Sequence, residues 1–547
     1  MRAGVEAKAS SSQCSHVPAS RSPVRGAARL RSWRPGRSAC TSSRIAARRG
    51  GPKRARSPLP DAAVTLGLVP RRARHPIAVL AVLALVPAAA LGGLYVFADG
   101  RVEDVAVPVS TTTTAGTAAA TTSTTLRTPL MSVRRSPTPL AVDRREDVLL
   151  DSVQTLASSV DAVSCMAIGI DDRLVAGTNT ASPVIPASNL KVVVAAAAVE
   201  LLGAGTVFTT RVVGPAPVNG VIEGDVHLVG GGDPVLSEAW YTEPSATRKR
   251  PPLHATSAEA LADALVAAGV TTINGSIVGD GTRYDDELHP PGWSDDIRAT
   301  VDGVPVGALV IDDSITQAGG INSDPAASAA SAFRRMLRDR GVEVVGKITT
   351  GVAPEGAGVL ATVTSAPLSD IVNEMLATSD NLTAEMLVKE IGLTVSGQGT
   401  REAGIAAITT KLTEWGLPAG SVVLTDGSGL SRDNRLTCAA LLAVLQRGSA
   451  TDVVGAGLAV AGQDGSTLDG KFEEAGLAGV LRAKTGSLRE VKALCGYFPA
   501  GDGEVAFVLI LNGPSAAAFD GTWQLLGQAL QAVAAAPTSE ALAPAQP

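Results

Sequence analysis

Three short patterns, each present once in 547 residues, constrain this chain more than any other feature: Ser188-Asn189-Leu190-Lys191, Ser379-Asp380-Asn381 and Lys484-Thr485-Gly486. At ordinary residue frequencies a chain of this length should hold roughly two Ser-x-x-Lys matches by accident, and Ser-x-Asn is about as common. Here no other lysine follows a serine at that spacing, no other asparagine follows a serine by two, and Lys-Thr-Gly does not recur. A fold that uses all three must gather segments far apart in the chain, with 191 residues from Ser188 to Ser379 and a further stretch to Lys484.

Ser188 precedes Leu190 to Leu202, a Val- and Ala-rich run that reads as a buried helix opening at the serine. Taken alone, a serine there is a helix cap. Lys191 changes that reading. Residues three apart share a helix face, and the apolar neighbours would desolvate the ammonium and lower its pKa, so a neutral amine could take the serine proton. A solvated surface charge is the alternative for Lys191, and an apolar helix fits it poorly. Ser379-Asp380-Asn381 lies between helical patterns at Leu368 to Ala377 and Leu382 to Ile391, and in isolation its residues read as an ordinary cap. Lys484-Thr485-Gly486-Ser487 belongs to a run of strands joined by turns, where a glycine lets another backbone approach, as a peptide adding to a sheet edge would.

The ordered set resembles the signature of the penicilloyl serine transferases. Within them it is most similar to the low-molecular-mass class C penicillin-binding proteins, the D-alanyl-D-alanine carboxypeptidase/endopeptidases. Further segments carry that narrower likeness: His227 to Pro234 (HLVGGGDP), Pro291-Gly292-Trp293, Val304 to Leu309 and Asp426 to Arg432 (DGSGLSR), over about Asp143 to Ala535. The resemblance implies Ser188 as nucleophile, Lys191 as its base, and Ser379 with Lys484 relaying a proton to the leaving amine. It implies Asn381, Thr485 and Gly486 as substrate-binding residues, with Thr485 at the terminal carboxylate, and the N–H groups of Ser188 and Ser487 as the oxyanion hole. The implied partners are peptidoglycan stem peptides ending in D-Ala-D-Ala, with β-lactams as acylating inhibitors. No metal or cofactor is expected. Asp426 to Gly429 also reads as a tight turn and receives no chemical role.

Other features exclude rival chemistries. Gly230-Gly231-Gly232 lacks the Gly-Lys-Ser/Thr or Gly-x-Gly-x-x-Gly context of a phosphate loop and reads as a strand ending in a turn. The histidines, at 16, 75, 227, 254 and 289, show no zinc-ligand spacing, and no Cys-x-x-Cys occurs. A pairing of Cys165 with Cys495 suits an extracytoplasmic protein; buried free thiols are the reading adopted, with Cys438 left open.

Residues 1–75 hold 17 Lys and Arg against two acids, while the rest holds 30 basic against 50 acidic residues, a net of −20 that disfavours nucleic-acid binding by the main body. The Arg/Ser/Pro-rich start reads as a disordered tail, a composition that also suits contact with anionic lipid or nucleic acid. Pro76 to Phe97 is uncharged, follows an arginine cluster and is long enough to cross a hydrocarbon layer of roughly 30 Å. It reads as a transmembrane anchor with the N-terminus inside, or as a cleaved signal, placing the body outside the cytoplasm. A Thr/Ala/Pro-rich linker is expected over 98–142.

The expected fold is α+β: a transpeptidase- or β-lactamase-like domain (143–213 and 365–535), its antiparallel sheet flanked by helices. A β-rich accessory insertion (214–364) interrupts it, and a disordered tail follows from 536. The expected function is a serine D-Ala-D-Ala carboxypeptidase, extending to endopeptidase action on cross-links. A β-lactamase using the same serine, and a wall-binding protein with a dead site, are the alternatives.

Overall fold

A computed structural model describes residues 136–244, 251–474 and 476–544. The basic tail, the apolar run 76–97 and the linker up to residue 135 lie outside the described residues. No described helix is long and apolar enough to cross a membrane.

The chain begins with helix α1 (Pro137–Ser152), strands β1 (Cys165–Ile170) and β2 (Arg173–Thr178), and helix α2 (Leu190–Leu202). It then enters a second body through β3 (Thr209–Val213) and β4 (Val226–Val229), continuing with α3 (Glu259–Ala267), β5 (Ile277–Asp280), α4 (Pro325–Asp339), β6 (Ile348–Thr350) and β7 (Val359–Thr364). Helices α5 (Leu368–Thr378), α6 (Asn381–Ser396), α7 (Arg401–Glu414) and α8 (Cys438–Leu445) follow. The chain closes with β8 (Ala459–Val460), β9 (Arg482–Leu488), β10 (Val491–Ala500), β11 (Gly503–Asn512) and α9 (Phe519–Ala534).

The first sheet has the order β8-β9-β10-β11-β1-β2 and is antiparallel throughout. Alternation along β10 and β11 divides two cores, because successive side chains leave opposite faces of a strand. Ala493, Cys495, Tyr497, Ala506, Val508 and Ile510 pack with α2, α5, α6 and α8. Leu494, Phe498, Val505, Phe507, Leu509 and Leu511 pack with Leu149 of α1 and with Trp523, Leu526 and Leu530 of α9. Helix α2 is apolar apart from Lys191 and Glu200 and buries Val192 to Ala195, Ala197 and Ala198, as a central helix must.

The second sheet has the order β6-β5-β4-β3-β7. Strands β4, β5 and β6 are parallel, while β3 pairs antiparallel with both β4 and β7. Residues 209–213, expected with the catalytic portion, thus form this sheet's entering strand, paired to the strand by which the chain leaves. Helices α3 and α4 connect the parallel strands in the right order for βαβ crossovers, so the insertion is α/β rather than merely β-rich.

Three further expectations are corrected. Residues 137–142, expected as linker, form the start of α1, held because Arg145 is buried and its Nη1 donates to the Ala500 carbonyl at 2.7 Å. The tail beyond 536 carries a helical turn, Ser539–Leu542, capped by Thr538 and tied to Asp502 through the Ser539 N–H at 2.7 Å. Cys165 is disulfide-bonded to Cys438 at the start of α8. Cys495, the partner considered from sequence, is a buried free thiol, because strand β11 lies between β10 and β1 and holds the two cysteines apart.

Candidate active site

Ser188 does not open an α-helix directly. It sits in a single 3-10 turn, Ala187–Asn189, from which α2 starts at Leu190. The preceding Ala187 has φ of 48°, a left-handed conformation that costs a non-glycine residue free energy and persists only where its surroundings impose it. Two distant glycines impose it here. A Cβ on Gly429, itself at φ of 84°, would fall 2.0 Å from the Ala187 carbonyl oxygen. A Cβ on Gly486 would fall 3.1 Å from the Pro186 oxygen and 3.2 Å from the Ala187 Cβ. The close approach expected at Gly486 is therefore made by the chain's own nucleophile turn, which brings Lys-Thr-Gly against Ser188.

Lys191 is fully buried one turn into α2. Its Nζ donates to Ser188 Oγ at 3.0 Å, to Asn381 Oδ1 at 2.7 Å and to the Ser428 carbonyl at 2.7 Å. Burial pushes its pKa down to about 8, against the opposing pull of the Asp380, Glu385, Asp426 and Asp302 carboxylates. No carboxylate bonds the amine; all three partners are neutral oxygens.

The Ser-Asp-Asn segment is the junction of α5 and α6. Ser379 ends α5 in the left-handed conformation, with φ of 69°, and Asp380 caps α6 by accepting from the Thr383 N–H at 2.6 Å. The capping reading is thus right for Asp380. Asn381 is the first helical residue, and its side chain is spent on Lys191 and, through Nδ2, on the Asp302 carbonyl at 3.0 Å. Both ends of that amide are occupied, so a role in holding substrate requires the Asp302 contact to give way. Ser379 lines a cavity of about 330 Å³ with Asp380, Asn381, Asp302 and Glu374, which adjoins the Lys191 cluster without including Ser188.

Lys484 is buried on β9 and donates from Nζ to the Thr485 carbonyl at 2.9 Å. It shares a strand face with Gly486, since the two are two residues apart, and so faces the Ser188 turn. Among the described residues, strand β8 pairs with Arg482 and Ala483 alone, and the β9 edge from Lys484 to Leu488 has no strand partner on that side. Thr485 is half-buried there, and Ser487 is exposed, its hydroxyl accepting from Lys492 Nζ at 3.0 Å. Direct hydrogen bonds therefore join Ser188, Lys191 and Asn381, glycine contacts add the Lys484 strand, and Ser379 adjoins through the cavity wall.

Reading the sequence missed Ser428 as a partner of Lys191, although the Asp426–Arg432 segment stood out. It also gave no partner to Trp293 of the Pro291-Gly292-Trp293 segment, whose indole N–H crosses from the insertion to donate to Asp426 at 2.9 Å. The available signal was the glycine pair of the Asp426–Arg432 segment, which marked a tight backbone without saying what it touched.

Residues 150–322 and 320–526 match the D-Ala-D-Ala carboxypeptidase 3 (S13) family. The chain belongs to that family. It is 33% identical over 413 residues to the D-alanyl-D-alanine carboxypeptidase of Actinomadura sp. strain R39, covering 60% of this chain and 74% of that protein. It is 31% identical over 357 residues to the carboxypeptidase DacB of Mycolicibacterium smegmatis, covering 60% and 72%. Penicillin-binding protein 4 (dacB) from Haemophilus influenzae shares the fold, with a TM-score of 0.56, 22% identity, and 66% and 93% of the two chains covered. The S13 match spans the insertion, which lies between the Ser188–Lys191 and Ser379–Asn381 motifs.

Proposed function

We propose that this S13 protein is a serine D-Ala-D-Ala carboxypeptidase, extending to endopeptidase action on peptide cross-links, and that it works through an acyl-enzyme on Ser188. The observation that carries the assignment of the nucleophile and base is the triple hydrogen bonding of Lys191. A neutral amine has two N–H bonds and one lone pair. With its two N–H groups given to Asn381 Oδ1 and the Ser428 carbonyl, the lone pair is left facing Ser188 Oγ. A pKa of about 8 leaves a useful neutral fraction near neutral pH.

In this mechanism Lys191 takes the Ser188 proton as Oγ attacks the penultimate D-Ala carbonyl. The N–H groups of Ser188 and Ser487 receive the developing oxyanion, the former in the turn that leads into α2. Ser379 and Lys484 pass a proton to the departing D-alanine amine, and Thr485 holds its carboxylate while the peptide lies along the open β9 edge. Asn381 Nδ2 exchanges the Asp302 carbonyl for the substrate's amide oxygen. Water then hydrolyses the ester, with a proton returned to Ser188. A β-lactam enters by the same attack, and its ring-opened acyl group leaves slowly because no amine departs. Support for the substrate class comes from membership of the S13 family and from the names of the relatives.

An extracytoplasmic location, with Pro76 to Phe97 as anchor or cleaved signal, belongs to the same proposal. The arginine cluster before that run and the Cys165–Cys438 disulfide favour it, since such bonds persist in oxidising compartments.

The test pairs fluorescent-penicillin labelling and peptide mapping with an assay of D-alanine released from a D-Ala-D-Ala peptide. Stable label on Ser188 together with release is expected, and Ser188→Ala should lose both, by on the order of 10⁴-fold in rate. Rapid drug hydrolysis without D-alanine would make the protein a β-lactamase. Unchanged labelling of the alanine variant would overturn the nucleophile assignment.

A further inference from the structure

The Ser428 carbonyl that takes one Lys191 hydrogen is held by two buried carboxylates to which the mechanism above gives no part. Glu385, 2% exposed and one turn beyond Asn381 on α6, receives the Ser428 N–H on Oε1 at 2.7 Å and the Gly427 N–H on both oxygens at 3.1 and 3.0 Å. Asp426, fully buried, receives Gly429 N–H at 2.9 Å and Asn434 Nδ2 at 2.6 Å on Oδ1. Its Oδ2 receives Ser431 N–H at 2.6 Å and the Trp293 indole. The backbone from 426 to 431 is thereby wrapped around two carboxylates, which fixes the direction of the Ser428 C=O and seats Gly429 against Ala187.

A hydrogen-bond acceptor at 385 would suffice to hold that loop; an amide oxygen could receive the same two N–H groups. A charge there is surplus to folding, because a second carboxylate beside buried Asp426 costs desolvation and repulsion. Those two effects push Glu385 up to about 7. The charge faces two cations: Arg401 of α7, which already has Glu287 and Glu402 as carboxylate partners, and Lys191, which bonds no carboxylate. We propose that Glu385 is a positioning residue for acylation: by holding the Ser428 backbone whose carbonyl bonds Lys191, it helps aim the Lys191 lone pair at Ser188, and it presents a carboxylate charge to the amine without bonding it. The inference rests on the roles given above to Ser188 and Lys191.

The other charged groups around this cluster are accounted for. Lys191 also faces Asp380 at the α6 cap, Asp302 from the insertion and Asp426 from the loop. Glu385 faces Asp426 and Arg401 of α7, whose Nη1 donates to the Thr425 carbonyl at 3.1 Å and whose carboxylate partners are Glu287 and Glu402. None of these touches the Ser428 N–H, so the carbonyl is held from two sides: through its own peptide unit by Asp426 at the Gly429 N–H, and through the Ser428 N–H by Glu385.

Two variants separate aim from charge, read as the second-order rate of penicillin acylation at Ser188 across pH in the full chain, with folding checked by thermal denaturation. Glu385→Gln keeps an acceptor and removes the charge. Its acid limb should move to lower pH by about half a unit or more, because the amine loses a neighbour that favours its protonated form. Glu385→Asp keeps the charge and withdraws the oxygens from the loop. Its limb should stay in place while the plateau rate falls about tenfold to a hundredfold. A plain loss of stability would lower neither the limb nor the rate per folded molecule. A folded Glu385→Gln with an unmoved limb, or a folded Glu385→Asp within twofold of wild type, overturns the inference. Wild-type protein that takes no label on Ser188 overturns both this inference and the function on which it rests.

Discussion

Two buried lysines on neighbouring helices divide this molecule into chemistry and scaffold. Lys191 in the catalytic pocket is bonded only to neutral oxygens, from Ser188, Asn381 and Ser428. Lys389, 2% exposed on α6, lies at the seam with the insertion and is bonded to the Asp285 carboxylate at 2.5 Å and the Glu287 carbonyl at 2.6 Å. The seam continues in kind: Arg401 pairs with Glu287, and Arg283 and Tyr284 bond Glu390. Equal burial meets different partners: a carboxylate in contact repays the desolvation of an ammonium, whereas the neutral acceptors around Lys191 leave its pKa lowered. The partner, more than the depth, decides whether a buried lysine ties the fold together or stands ready to give up a proton.

The sharpest way to break this contrast is to remove each amine while keeping its volume. Lys191→Met should leave a folded protein whose acylation rate is lower on the order of 10³-fold or more, measured with the same penicillin probe. Lys389→Met should do the reverse. Chemical denaturation should show a loss of about 3 kcal/mol, at the low end for a broken buried pair because Asp285 can rehydrate. Acylation per folded molecule, and its acid limb, should stay within a factor of about two. A moved limb in Lys389→Met would mean that the seam tunes the site and that the two regions are not separate.

Most of the site was legible in the sequence because its residue types are rare at those spacings. Ser188 with Lys191 is a local helical relation, and local relations are what a sequence shows directly. Ser379-Asp380-Asn381 could be found but not apportioned. Capping and catalysis favour the same small polar residues, and only the helix junction shows that Asp380 caps while Asn381 turns to Lys191. The Asp426–Ser431 wrap was illegible as chemistry since its contribution is a backbone carbonyl, and Glu385 looks like any acid within a helical run. The central strands could be read from their apolar runs. The Cys165–Cys438 bond could not, because it depends on the order of strands in the sheet. The insertion's crossover helices were overlooked because its short strands dominate the pattern around them.

The claim on which all of this turns is that Lys191 acts as a neutral base held toward Ser188. The most direct measurement is the pH dependence of the second-order rate of Ser188 acylation by penicillin in the wild-type protein. A group lowered to about 8 must shed its proton before it can accept another, so the rate should climb through an acid limb centred near that pH and level off above it. A rate that stays flat from about pH 6 to about pH 9.5, in protein that labels on Ser188, would contradict the account and move the base to another residue.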